Sequence, residues 1–275
     1  MHFLIDADSA MYKAGCSNEE REYLILHDGM VVHSEKYKRD ATAWVAEQEG
    51  EYEIEPHKTT GPLPHSLANL KGVIERIIEH PKCTSWTVYI GGEGNFRYDI
   101  YEEYKASRDP LAKPLHLPDL KQYLIKRYGA VVVDGEEVDD RVSWEQCSKE
   151  GTCIASIDKD LLNTPGWNYN YGTEELTYVS QLQADLNFYR QLITGDKSVD
   201  NIPGLPRHGK AKALKALPES LPIEDMHEIV WCMYQELGFD WDYYVMNGQL
   251  LWMRREPNQM WQPPALESDA LSATT

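Results

Sequence analysis

Four groups of acidic residues have types and spacings that could do chemistry: Asp6-x-Asp8, Glu137-x-Asp139-Asp140, Asp158-x-Asp160, and Asp196 with Asp200. Carboxylates packed together repel, by about 4 kcal/mol per pair at 4 Å and an effective dielectric of 20. A fold that converges several of them must raise their pKa values or neutralise them with cations. Hard oxygen donors suit Mg²⁺, with Mn²⁺ as a substitute. Two such ions about 4 Å apart can activate a water and stabilise the departing oxygen of a phosphodiester. Each group alone also has a plain structural reading. Asp8 could cap a following helix, Glu136 or Glu137 could be favoured by a helix dipole, and Asp158 could close a strand. Their joint occurrence carries the argument.

Cations accompany the acids. The spacing of Lys105 and Arg108 predicts positive charges one helical turn apart on one face, able to hold a phosphate and offset charge in a transition state. The plain alternative is a surface basic pair. Asn201-Ile202-Pro203-Gly204-Leu205-Pro206-Arg207-His208-Gly209-Lys210-Ala211-Lys212 predicts a tight Gly/Pro turn opening a helix. Its backbone N–H groups could bind phosphate, reinforced by Lys210 and Lys212. A simple connection between two helices is the alternative.

These residues need elements to position them. Phe3-Leu4-Ile5, Thr87 to Ile90, Ala130 to Val133 and Cys153 to Ile157 are short apolar runs of the kind that form buried parallel strands, and acid follows three of them. Helical patterns run over Asp40 to Gln48, Ser66 to Glu79, Leu117 to Tyr128 and Val138 to Ser148. Alternation of this kind predicts an α/β fold with a central, mostly parallel sheet. Ligands in such sheets gather beyond the carboxyl ends of the strands, where the acids lie. Tyr23 to His33, with Asp28-Gly29 between its arms, predicts a β-hairpin with a type I′ turn. After about Leu182 the chain becomes helical, with patterns over Ile223 to Leu237 and Trp241 to Trp252. Trp231, Trp241, Trp252 and Trp261 are expected in the core of that region rather than as base-stacking platforms.

The formal net charge is −18 over 275 residues, which on its face argues against a nucleic-acid partner. The charge is uneven, however: base is concentrated in Lys105 to Arg108, Lys121 to Arg127 and Arg207 to Lys215. Five scattered cysteines show no Cys-x-x-Cys pair, and no run approaches the roughly 20 apolar residues of a membrane span. With no signal-peptide pattern at Met1, the expected location is the cytoplasm, the host's if the chain is phage-encoded.

Taken in order, these residues resemble the flap endonuclease or 5′-3′ exonuclease family, in particular the short exonucleases of T-odd-like bacteriophages. The residues that carry the resemblance are Leu4-Ile5-Asp6, Phe96-Arg97 with Glu103 to Arg108, and Asp134 to Asp140. Ser156 to Leu161 and Gly195-Asp196 through Gly209-Lys210 complete the set. The resemblance implies a PIN-like nuclease domain over residues 1–182, with an arch or gateway about 97–128. A helical region over 183–256 would contain a DNA-gripping helix-hairpin-helix, with K⁺ bound there, and 257–275 would be a loose tail. It casts Asp6, Glu137, Asp139, Asp140, Asp158, Asp160, Asp196 and Asp200 as ligands of two Mg²⁺ ions. Lys105 and Arg108 would contact the scissile phosphate, and Arg97, Tyr104, Arg207, Lys210 and Lys212 would contact DNA. The implied activity is hydrolysis near the 5′ ends of duplex DNA, at flaps and in RNA–DNA hybrids, by a monomer that serves replication in a phage.

Departures from the family pattern are visible. Ile90-Gly91-Gly92-Glu93-Gly94 stands where the family has an Asp, so a ligand is missing unless Glu93 replaces it. Three residues separate Asp196 from Asp200 where two are usual, and Arg207 stands at the hairpin's usual first glycine. A haloacid-dehalogenase-type phosphatase would use Asp6-x-Asp8 and Asp196 with Asp200 but leaves the remaining acids unexplained. A small PIN ribonuclease shares the acidic sheet edge but lacks the hairpin. A nuclease fold that binds DNA without cutting is the third alternative, and Gly92 is its support.

Overall fold

The computed structural model describes residues 1–109, 112–219 and 221–264. In chain order the first elements are β1 (His2–Asp6), α1 (Asp8–Cys16), β2 (Glu19–His27), β3 (Met30–Glu35), α2 (Lys38–Ala46) and β4 (Glu53–Thr60). Next come α3 (Leu63–Ile78), β5 (Ser85–Gly91), α4 (Arg97–Ile100), α5 (Leu117–Tyr128), β6 (Val131–Val133), α6 (Val138–Ser148) and β7 (Thr152–Ala155). After a 3-10 turn (Lys159–Asn163) follow β8 (Gly166–Asn170), β9 (Glu175–Val179), α7 (Gln181–Thr194), α8 (Lys210–Ala216), α9 (Ile223–Glu236) and α10 (Trp241–Leu251).

The chain forms two compact units. One comprises Met1–Ser9, Arg76–Arg108 and Gly129–Thr275, described here to residue 264, and it contains every candidate ligand. Its six-stranded sheet has the order β6-β5-β1-β7-β8-β9. The first five strands run parallel, and β9 pairs antiparallel with β8. Phe3, Leu4 and Ile5 are fully buried, as a strand flanked by two others must be. From β1 the chain reaches β5 and β6 on one side, then crosses to β7 on the other. The switch in direction therefore lies between β1 and β7, where an open α/β sheet offers its binding crevice.

Helices after residue 180 cluster in this same unit, so compactness does not divide the chain at residue 182. Their core joins Phe188, Leu192, Val230, Tyr234, Tyr244 and Trp261. Trp231 and Trp252 pack against it, as expected of core tryptophans, whereas Trp241 is 37% exposed. Trp261 is 5% exposed and anchors residues that were expected to be loose; 265–275 lie outside the described residues.

The second unit, Ala10–Glu75 with Asp109–Tyr128, holds an antiparallel sheet of order β3-β2-β4. Asp28 and Gly29 both take positive φ (52° and 72°), the requirement of a type I′ turn. β4 lies at the sheet edge, where Pro56 can sit opposite Tyr23 without breaking a ladder on both sides. Within the expected arch, residues 110 and 111 lie outside the described residues. Among the described residues, no helix is long and apolar enough to cross a membrane.

Candidate active site

Three parallel strands of the six-stranded sheet deliver polar groups at their carboxyl ends: Asp6 ends β1, Asp134 follows β6, and Ser156 and Asp158 follow β7, whereas β5 ends at Gly91 and is followed by Gly92. Asp6 is 3% exposed and accepts hydrogen bonds from Ser156 Oγ (2.7 Å) and the Asp8 N–H (3.0 Å). Ser156 Oγ in turn accepts from the Asp158 N–H (3.0 Å), and Asp158 Oδ1 accepts from the Asp160 N–H (2.9 Å). Ser156 thus ties the ends of β1 and β7 across the switch point. A serine at a strand end gives no distinctive sequence signal.

The electrostatics show how closely the acids approach. Burial first, then Asp8, pushes the Asp6 carboxyl from an ordinary 3.8 up to about 7, against the lowering effect of its hydrogen bonds. Burial, then Asp6, Asp158 and Glu137, raises Asp139 well above the carboxylate range. Asp160 is raised by burial and by Asp158. These groups are held together at a cost in repulsion that a divalent cation would relieve. The all-oxygen donor set fits Mg²⁺ or Mn²⁺. Among the described residues, no three His, Cys, Asp or Glu side chains form a ready-made ion cage. Lysine ammonium groups lie against several of the acids.

Glu137, at the N-cap of α6, pairs with Lys105 Nζ and accepts from Tyr104 Oη at 3.0 Å. Burial would raise its pKa, but Arg97 and Lys105 hold it below the usual range. Tyr104 Oη is also 3.1 Å from Asp200, whose other oxygen accepts from Arg108 Nη2 at 2.9 Å and lies 3.8 Å from Lys105 Nζ. Asp196 faces a different cation. Lys159 Nζ lies 2.8 Å from Asp160 and 3.4 Å from Asp196. The three-residue spacing therefore sends Asp196 toward Asp160, and Asp200 toward Lys105 and Arg108.

The loop that carries both acids closes on itself. Gly195 and Gly204 (φ 66° and 53°) approach so closely that a Cβ on either would meet the other's backbone, and the Asp196 N–H donates to the Ile202 carbonyl at 3.0 Å.

Several expectations are corrected. Asp140 and Arg97 are 0% and 1% exposed and form a bidentate ion pair at 2.5 and 3.0 Å. Arg97 also donates to the Leu250 and Trp252 carbonyls, so its guanidinium locks α4 and α6 to the end of α10 and cannot reach DNA. With both oxygens taken by Arg97, Asp140 leaves the ligand set. Tyr104, 2% exposed, is a spacer between Glu137 and Asp200 rather than a DNA contact. Lys105 and Arg108 do not lie on a helix. Residues 102–108 form turns and a bend, and Lys105 takes a left-handed φ of 58°, yet both cations still converge on Asp200.

Glu93 is exposed, and its N–H donates to Asp134 Oδ1 (2.7 Å). A Cβ at Gly92 would meet that same Asp134 carboxylate and the Val132 side chain, so an acid at position 92 would require these exposed side chains to shift. Asp8 accepts from the Gly91 N–H at 2.9 Å and would meet a Cβ there at 2.8 Å. On the helical side, Arg207, Lys210 and Lys212 are exposed, and none joins an ion pair found among the described residues.

The sheet order, the acidic carboxyl-end crevice and the helices packed behind it define a PIN-like α/β nuclease fold. A crystal structure of the bacteriophage T5 flap endonuclease, in a pseudo-enzyme–product complex with DNA and metal ions, superposes with a TM-score of 0.55 at 13% identity. That match covers 91% of this chain and 89% of the phage chain. In sequence, 180 residues are 28% identical to DNA polymerase I of Thermus thermophilus, covering 57% of this chain and 20% of the polymerase. A 5′-3′ exonuclease of Buchnera aphidicola is 22% identical over 184 residues, 61% of this chain and 63% of that protein. The chain thus matches about a fifth of the polymerase and just under two thirds of the exonuclease. No profile of a known protein family matches the sequence. The chain is thus similar in fold to the phage flap endonuclease and, at under 30% identity, similar in sequence to a DNA polymerase I and a 5′-3′ exonuclease.

Proposed function

We propose that this protein is a divalent-metal-dependent 5′-nuclease that hydrolyses phosphodiester bonds near the 5′ ends of duplex DNA, at flaps and in RNA–DNA hybrids. The carrying observation is that Asp6, Asp139 and Asp158 meet at one sheet edge, where burial first, and then the neighbouring acids, raise Asp6 and Asp139 above ordinary carboxylates. Asp6, Glu137, Asp139 and Asp158 would hold one Mg²⁺ or Mn²⁺, and Asp160 and Asp196 the other, while Asp200 faces Lys105 and Arg108. Bound there, the ions supply Lewis acidity, which lowers the pKa of water and offsets phosphate charge.

The chain's own residues do the rest. Lys105 and Arg108 hold the phosphate undergoing cleavage and compensate its developing charge. Tyr104 keeps Glu137 and Asp200 at a set separation. Arg207, Lys210 and Lys212 grip the duplex backbone from the helix-hairpin-helix region of residues 183–256, with K⁺ as its companion ion. Asp134 and Asp8, rather than Glu93, supply the acid adjoining the Gly91-Gly92 segment.

Polarity separates this reading from a general nuclease. Labelled duplexes bearing either a 5′ or a 3′ flap, and a closed circle without ends, are incubated with the protein and Mg²⁺. Loss of the 5′ flap alone supports the proposal; equal cutting of all three rejects it.

A further inference from the structure

Arg254 lies just beyond α10, in a segment that carries none of the acidic or basic motifs, and it is 6% exposed. Its guanidinium sits over the Phe96 ring, 3.8 Å from the centroid, and donates from Nη1 to Glu136 Oε2 at 2.9 Å. The other Glu136 oxygen accepts from Trp144 Nε1 at 3.1 Å. Arg254 reaches α6 a second time through its backbone, whose N–H donates to Asp140 Oδ1 at 3.3 Å. Arg97 grips the same Asp140 through both of its oxygens.

Glu136 and Asp140 bracket the two candidate ligands of this turn, Glu137 and Asp139. Glu137 has an extended backbone (φ −82°, ψ 158°), and successive side chains of an extended chain point to opposite sides. A Glu136 pinned by both oxygens therefore turns Glu137 the other way, toward Tyr104 and Lys105. Asp139 and Asp140 are consecutive in the first turn of α6, about 100° apart around its axis, so anchoring Asp140 fixes the direction in which Asp139 projects. Carboxylates that repel one another spread apart unless the backbone that carries them is held. Groups that orient a ligating side chain without touching the metal alter its affinity by roughly 10- to 100-fold. We propose that Arg254 is a positioning residue: through Glu136 and Asp140 it sets the aim of Glu137 and Asp139. This rests on the nuclease reading above.

The test compares the parent, Arg254→Met, and Arg254→Met combined with Glu136→Leu, all in the full chain. Mn²⁺ affinity is read by calorimetry, melting temperature in EDTA, and kcat and KM on a 5′-labelled flap duplex. Arg254→Met should bind Mn²⁺ about tenfold more weakly and lose kcat at limiting Mn²⁺ in proportion, with KM for DNA unchanged. The paired variant removes the stranded Glu136 charge, so its melting temperature should return toward the parent's while Mn²⁺ affinity stays low. Unchanged Mn²⁺ affinity in Arg254→Met overturns the proposal. Affinity that returns together with the melting temperature also overturns it and marks a structural brace only. If Arg254→Met does not fold, Trp144→Phe, which releases the other Glu136 oxygen, is read instead; Mn²⁺ affinity should fall by about two- to tenfold, and an unchanged value overturns the proposal. A parent that binds Mn²⁺ but cuts nothing defeats the nuclease reading, and the Mn²⁺ affinities alone then decide on Arg254. A parent that binds no Mn²⁺ overturns both.

Discussion

Replacing Asp6 by Asn should make the metal-free protein more stable at pH 8 while removing its activity. Asp6 is buried, with its carboxyl raised from 3.8 to about 7 by burial and by Asp8. At 1.36 kcal/mol per pH unit, keeping it ionised at pH 8 costs the folded state about 4 kcal/mol. Repulsion shared among the neighbouring acids reduces the observable effect to about 2 kcal/mol. Asn retains the shape and can still accept from the Asp8 N–H, so little packing is lost.

A chain of this size should then melt about 4–8 °C higher in EDTA. The sign has a definite pH dependence. The folded carboxyl binds its proton more tightly than the unfolded one, so this group weakens the parent as pH rises from about 4 to about 7, and the deficit persists above that. The advantage of Asn should therefore shrink as pH falls from 8 to 5. Scanning calorimetry of both proteins in EDTA across that range is the assay. A variant that melts at or below the parent at pH 8, or a difference that does not shrink toward pH 5, would refute the reasoning.

Other consequences are as direct. Arg97→Ala strands the buried Asp140 and should lose about 3–5 kcal/mol in urea unfolding, whereas Arg97→Met combined with Asp140→Leu should recover most of it. Gly92→Asp, which introduces the acid named in the family resemblance, should change stability in urea unfolding by under about 1 kcal/mol, because the Asp134 and Val132 side chains its Cβ would meet are exposed and can swing aside. Lys159→Met removes the ammonium that lies against Asp160 and Asp196. Mn²⁺ affinity by calorimetry should rise by roughly two- to fivefold, since an exposed ion pair contributes under about 1 kcal/mol.

Much of the frame was legible in the sequence because its central strands are buried on both faces. Phe3-Leu4-Ile5 and Thr87 to Ile90 had to be apolar, and the acid after such a run marks the edge where β1 presents Asp6. The limits of α5 and α6 coincide with their periodic patterns. β4 was hidden by Pro56 and its glutamates, which an edge strand tolerates. β8 and β9 were hidden by polar residues at alternate positions.

The site was legible in its residue types but not in their aims. Spacing could not reveal that Lys105 adopts a left-handed backbone, nor that Asp196 and Asp200 turn to different cations. Arg97 and Asp140 look like site residues because charge in a motif suggests function. Only their burial shows that they brace the helices behind the site.

The central claim, metal-dependent cutting at 5′ ends, rests on the acids that converge at the switch point. The most direct measurement incubates a 5′-labelled flap duplex with the parent and with Asp158→Ala, in Mg²⁺, Mn²⁺ or EDTA. Short 5′-labelled products should be released by the parent with either metal, not in EDTA, and not by Asp158→Ala. DNA that is retarded on a gel yet uncut in every condition would contradict the account and mark the protein as a binder built on a nuclease fold.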